Sequence, residues 1–117
     1  MSSSVAHDNL KKEIMLAIGE SGLGRVIPYE VGKFRTLHNV DSIIKIGIDG
    51  VSDLIAILVG GYFAGIEVKS GTGKLSEQQK KFKIMVEKFD GLFIEARSTQ
   101  QVITEIKEYL CKKSLNT

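Results

Sequence analysis

From Leu54 to Ile66 the chain carries no charged residue, and a glycine pair, Gly60-Gly61, lies inside that stretch. The continuous apolar run after Asp53 suits a central strand buried on both faces. Gly60-Gly61 supplies the turn, and Tyr62 to Lys69 forms the next strand, so Asp53 and Glu67 fall on neighbouring strands of one hairpin. The stretch is no membrane helix: it holds three glycines and a tyrosine and falls short of the ~20 apolar residues a span needs.

Helical patterns flank this hairpin. Asp8 or Asn9 can cap a first helix carrying Leu10, Ile14, Ala17 and Ile18, with Gly19 and Gly22 ending it. Glu13 lies about 40° outside its apolar arc. Ser76 with Gln79 forms a capping-box pattern before Phe82, Met85, Val86 and Phe89, and Gly91 stops that helix. Leu92 to Arg97 reads as a strand. Ser98 with Gln101 repeats the capping pattern before a last helix bearing Val102, Ile106, Tyr109 and Leu110. Val26 to Phe34 and Ile43 to Ile48 read as two further strands, with a polar turn around His38 to Asp41. The expected order is α-β-β-β-β-α-β-α, an α/β domain with a mixed sheet flanked by helices.

With 117 residues the chain fits one domain, 1–117, able to bury roughly 65% of its unfolded surface. The start, MSSSVAHDN, has no apolar core and does not read as a signal peptide. One cysteine, Cys111, rules out an intrachain disulfide, and two histidines with it make a zinc-type site a poor expectation. A metal here would be held by oxygen ligands, which suits Mg²⁺ or Mn²⁺. Net charge is only +2, but Lys69 to Lys88 holds six lysines against two glutamates, a local balance of +4. That segment is a candidate phosphate-facing patch through Lys74, Lys80, Lys81 and Lys83, and it would equally suit a solvated helix face.

Glu67 and Lys69 carry the chemistry. Residues i and i+2 of a strand share a face, so the carboxylate and the ammonium project together while Ile66 and Val68 enter the core. If the hairpin turns at Gly60-Gly61, Asp53 comes level with Glu67 or Lys69. Two carboxylates can hold a hard divalent cation, and a lysine beside them can orient water and offset charge growing on phosphorus. A plain cross-strand Glu–Lys pair, worth about 0.2–1 kcal/mol, would leave the same sequence trace.

Asp53 followed by Glu67-Val68-Lys69 resembles the motif of the PD-(D/E)xK nuclease superfamily. GVSDL (50–54) and GIEVKSGTGKLSEQQ (65–79), with the helix ending at Gly91, resemble the VRR-Nuc domain, the virus-type replication-repair nuclease module. The likeness runs from about Glu13 to Phe93. It implies a restriction-endonuclease-like core, with Asp53 and Glu67 as metal ligands, Lys69 as the water-positioning lysine and the Val68 carbonyl as a further ligand. It also implies Glu13 as a helix carboxylate near the metal and Gln79 as the glutamine ahead of the helix aromatic, here Phe82. Ser52 stands where the family often has proline. By residue pattern alone Glu13 could be an exposed helix glutamate, Gln79 could serve only the cap, and Gln78 is a rival to it. Glu30 and Asp49 are further acidic candidates, Arg35 and Lys45 candidate backbone contacts, and His38 a surface residue.

The implied activity is Mg²⁺- or Mn²⁺-dependent cleavage of branched DNA, with four-way (Holliday) junctions resolved by a homodimer, as in DNA repair. The resemblance is to stand-alone proteins of phage-like origin, so action in the cytoplasm, without membrane, is expected. Val31, Phe34, Leu37, Val40, Ile43 and Ile44 are the expected dimer surface, or else they pack under their own sheet. The alternatives are an idle nucleic-acid-binding module of the same fold, a monomeric flap or nicking nuclease, and a restriction-type enzyme. Keeping Asp53, Glu67 and Lys69 together argues against the idle module. A chain this short has little room to read bases, which argues against the restriction enzyme.

Overall fold

The computed structural model describes residues 3–27, 33–35, 43–45 and 50–115, with side chains over 5–27 and 50–115. Within these, α1 (Ser3–Ser21) leads to β1 (Gly24–Ile27), β2 (Lys33–Arg35), β3 (Ile43–Lys45), β4 (Leu54–Leu58) and β5 (Phe63–Val68). Then follow α2 (Glu77–Lys88), β6 (Leu92–Ala96) and α3 (Thr99–Leu115). Four strands form a mixed sheet in the order β1-β4-β5-β6, and β2 pairs separately with β3. β4 is antiparallel to β1 and β5, while β6 runs parallel to β5. A parallel neighbour requires a crossover, and α2 provides it. This is the expected α/β architecture of a mixed sheet with flanking helices.

The hairpin turns where the glycines allow it: Gly60 and Gly61 both take positive φ, 90° and 84°. Leu54 then faces Ile66 and Ala56 faces Ala64. Strand alternation divides the core into two layers. Leu54, Ala56, Leu58, Ala64, Ile66, Val68, Ile94 and Ala96 join Ile14 and Ile18 of α1 and Val102 and Ile106 of α3. On the other face, Phe82 and Val86 of α2 pack against Phe93, with Phe63 and Val51 alongside. Phe63, Gly65 and Glu67 alternate with Ala64, Ile66 and Val68, so Glu67 projects on the α2 side. Among the described residues no helix is long and apolar enough to cross a membrane.

Several elements differ from the sequence expectation. α1 begins at Ser3, ahead of Asp8 and Asn9, which are exposed within it. A cap contributes only about 1 kcal/mol, and the extra turn carries His7, which is tied to the sheet end described below. The expected strand from Val26 to Phe34 is two strands, which adds one strand to the order. Gly24–Ile27 pairs with β4, whereas Lys33–Arg35 pairs with Ile43–Lys45. Pro28, next after Ile27, has no N–H with which to continue a ladder. The α2 stripe is only half covered: Phe82 and Val86 are buried but Phe89 is 75% exposed. The residue that turns left-handed after α2 is Asp90 (φ 68°), one position before Gly91. At α3 the Gln101 amide donates to Ser98 Oγ at 3.1 Å, but the Gln101 side chain accepts from Arg97 N, so only half of the capping box forms.

The polar turn from His38 to Asp41, Glu30, Asp49, Val31, Leu37 and Val40 lie outside the described residues. Of Phe34, Arg35, Ile43, Ile44 and Lys45 only the backbone is described, paired between β2 and β3.

Candidate active site

The C-terminal end of β5 meets the N-terminal end of β4, and three polar side chains converge there. The Asp53 amide donates to Glu67 Oε2 at 3.1 Å, and the Val68 amide donates to Asp53 Oδ2 at 3.0 Å. Asp53 is therefore level with the 67–68 step, as the hairpin register requires. Beside it, the buried Ser52 donates to the Leu54 carbonyl at 2.8 Å. Position 65 has room only for glycine: a Cβ there would meet Ser52 Oγ at 2.9 Å and the Phe82 ring at 3.2 Å. That close approach seats α2 against the strand end.

α2 completes the cluster from its cap. Gln79 is the N3 residue of a full capping box with Ser76. Its Oε1 accepts from Ser76 N at 2.8 Å and from Lys69 Nζ at 3.0 Å, while its Nε2 donates to Glu67 Oε1 at 2.8 Å. One amide thus caps the helix and bridges the lysine to the carboxylate. Gln78 is exposed, so Gln79 is the glutamine that faces the cluster. Lys69 Nζ lies 3.9 Å from Glu67 Oε1. Its backbone amide continues the sheet by donating to Ala96 O at 2.9 Å.

Glu67 is only 4% exposed. Burial, and then the neighbouring Asp53 carboxylate, push its pKa from 4.5 up to about 7, against the opposing pull of Lys69. Two carboxylates this close carry more negative charge than one lysine balances. The donor set is all oxygen and fits a hard divalent cation, which would relieve that imbalance. Among the described residues no group of three or more His, Cys, Asp or Glu side chains is arranged to hold a metal ion. The protein would supply two carboxylates and the Val68 carbonyl, and water or phosphate would complete the shell, a common way to hold Mg²⁺.

Glu13 is not part of this cluster. It is exposed and accepts from Thr99 Oγ1 at 3.3 Å, at the start of α3. The α1 side chain that reaches the cluster is His7, whose Nε2 lies 3.1 Å from Asp53 Oδ2. Six residues separate the two positions, about 9 Å along a helix, so one helix cannot bring both to the same point. No pattern around His7 marks it, since it precedes the expected start of the helix.

Arg97 is a second residue that the sequence did not reveal. It donates to the carbonyls of Gly71 at 3.0 Å and Gly73 at 2.5 Å, and pairs with Glu95 at 2.9 Å. It braces the glycine-rich loop between Lys69 and α2. No signal in the sequence marked it, because water can satisfy exposed glycine carbonyls as well as a side chain can.

The candidate phosphate-facing lysines lie beyond the cluster. Lys74 and Lys81 are exposed. Lys80 pairs with Glu77 at 3.3 Å and Lys83 with Glu87 at 3.0 Å. Such surface pairs are worth about 0–1 kcal/mol and yield readily to a stronger anion.

A mixed sheet with flanking helices, holding two carboxylates and a lysine at one end, has the form of a restriction-endonuclease-like α/β core. The model of the VRR-NUC domain matches residues 32–100, more than half of the chain, and the protein belongs to that nuclease family. No curated protein and no solved structure matches the chain.

Proposed function

We propose that this protein is a divalent-metal-dependent DNA endonuclease that cuts branched DNA and resolves four-way junctions as a homodimer. The observation that carries the reading is the convergence of Asp53, Glu67 and Lys69 at one sheet end, with Gln79 bridging the last two.

Asp53 and Glu67, with the Val68 carbonyl, would hold Mg²⁺ or Mn²⁺. The chemistry a cation held there would supply is polarisation of the phosphate and a lowering of the pKa of bound water toward ~7. Lys69 has its ammonium fixed by Gln79 at the edge of the cluster, where it can orient a water and offset charge developing on phosphorus. The helix cap holds Gln79, so lysine and carboxylate keep their relation before substrate arrives. Lys74, Lys80, Lys81 and Lys83 would bind phosphates without regard to sequence.

One such cluster hydrolyses one strand at a time. A four-way junction has approximate two-fold symmetry, and a two-fold dimer places two clusters in a fixed relation. The test is a cleavage panel of four-way junction, flap, splayed and linear DNA, with Mg²⁺, Mn²⁺ or EDTA, beside light scattering at micromolar concentration. Paired cuts in the junction by a dimer, lost in EDTA and in Asp53→Asn and Glu67→Gln, are expected. A monomer that only nicks would leave a monomeric structure-selective nuclease. Binding without any cleavage would leave an idle module.

A further inference from the structure

α1 lies outside the segment matched by the family model, which begins at residue 32, yet it sends one side chain into the cluster. His7 Nε2 stands 3.1 Å from Asp53 Oδ2, across 46 positions of sequence. A carboxylate oxygen accepts, so this contact is a hydrogen bond in the His7 tautomer that carries its proton on Nε2. The same oxygen takes the Val68 amide at 3.0 Å. Both side chains are mostly covered, His7 30% and Asp53 26% exposed, so water competes weakly for the bond. The other ring nitrogen, Nδ1, lies 3.7 Å from Asp8 Oδ1, within ion-pair range but beyond a hydrogen bond.

Asp53 stands just before β4 begins, at a position where the strand's ladder no longer restrains it. A single backbone donor would leave its carboxylate able to swing about χ2, which is a broad torsion in aspartate. A second donor from another element removes that freedom. His7 itself is not arranged as a third ligand, because no three-residue metal group exists among the described residues.

We infer that His7 is a positioning residue: its Nε2–H holds the Asp53 carboxylate in place as a ligand for the divalent cation. The inference rests on the metal-dependent reading above. Hydrogen-bond partners of metal ligands are worth roughly 10–100-fold in metal affinity when removed.

The test uses the full chain with Mn²⁺ as the probe. Mn²⁺ binding is read from loss of the aqueous EPR signal for wild type, His7→Ala, His7→Gln and Asp53→Asn. Single-turnover cleavage of a four-way junction is followed across the same Mn²⁺ titration, and thermal midpoints report folding. His7→Ala should raise the Mn²⁺ dissociation constant roughly 10–100-fold, with cleavage recovering at saturating Mn²⁺. His7→Gln, whose amide N–H can replace Nε2–H, should restore most of the affinity. Unchanged affinity in His7→Ala overturns the inference, and so does a His7→Gln protein as weak as His7→Ala. A nitrogen hyperfine coupling to bound Mn²⁺ in wild type, lost in His7→Ala, would make the imidazole a direct ligand and also overturn it. Failure of wild type to bind Mn²⁺, or undiminished binding by Asp53→Asn, would instead sink the metal-dependent reading itself.

Discussion

Gln79 donates its side-chain amide to Glu67 Oε1 across 2.8 Å, from the first turn of α2 to the end of β5. The same amide group closes the capping box with Ser76 and accepts from Lys69. Helix start and candidate active site therefore share one side chain, and the two duties can be separated by substitution. Glutamate at N3 also closes a capping box. Gln79→Glu should therefore keep the cap but place a third carboxylate against Glu67 and remove its donor. Gln79→Ala should lose the bridge and the acceptor for Ser76 N, while Ser76 Oγ still accepts from the amide of residue 79; each lost hydrogen bond costs about 1 kcal/mol. Single-turnover rates of the folded variants check this: cleavage should fall in both, because both lose the donor to Glu67 Oε1. Full cleavage by Gln79→Glu would reduce Gln79 to a helix cap.

Lys69→Ala should remove turnover far more than DNA binding. Its ammonium lies at the edge of the cluster, held at 3.0 Å by Gln79, and many other lysines remain to bind phosphate. A loss of roughly 10²–10⁴-fold in single-turnover cleavage is expected for a positioned proton-transfer group. The check is a binding isotherm beside the cleavage rate at saturating protein. Weak binding with normal cleavage at saturation would make Lys69 a phosphate clamp.

Replacing Lys80, Lys81 and Lys83 together with alanine should flatten the salt dependence of DNA binding. Each phosphate that the protein ceases to neutralise lowers the log–log slope by up to ~0.9. Lys80 and Lys83 must leave Glu77 and Glu87 to reach phosphate, so the change should fall short of the full value for three lysines. An unchanged slope would mean that this face of α2 points away from DNA.

The metal-free protein should lose stability as pH rises from about 4.5 to about 7. Glu67 titrates at 4.5 ordinarily and at about 7 in the fold, raised by burial first and by Asp53 second. Between these values the folded protein keeps a proton that the unfolded chain has released. The penalty is absent below the lower value, grows through the window and is complete above the upper one. Glu67→Gln has no charge to bury there. Thermal midpoints of both proteins in EDTA should therefore diverge from pH 5 to pH 8, with the variant gaining on wild type. Parallel curves would show that Glu67 ionises in the fold without cost.

What could be read from the sequence was set by short-range geometry. Strand alternation alone puts Glu67 on the face opposite Ile66 and Val68, and the fold has both apolar residues in the core. Ser76 and Gln79 stand at capping-box spacing, and the box forms. The glycine pair predicts the hairpin and with it the level of Asp53. Each of these depends on a few consecutive residues, or on one tight turn, and local sterics decide them. The single strand expected over Val26 to Phe34 failed for a different reason. Its two halves take different partners, and partner choice is not a local property.

Only the tertiary structure decided which α1 side chain meets Asp53. Helical periodicity places Glu13 at the edge of a buried face but says nothing about how far along the sheet that face lies. The packing of α1 on the sheet and α3 puts Glu13 beside Thr99 and His7 beside Asp53. The same holds for Arg97, whose guanidinium reaches the Gly71 and Gly73 carbonyls because β6 ends next to the loop that β5 enters. Contacts between residues 24 to 86 positions apart depend on the crossing of whole elements, which many burial contacts set jointly. The Glu67–Lys69 pair and the Gln79 that bridges it were written in short stretches of sequence, whereas His7 beside Asp53 and Arg97 beneath the loop were not.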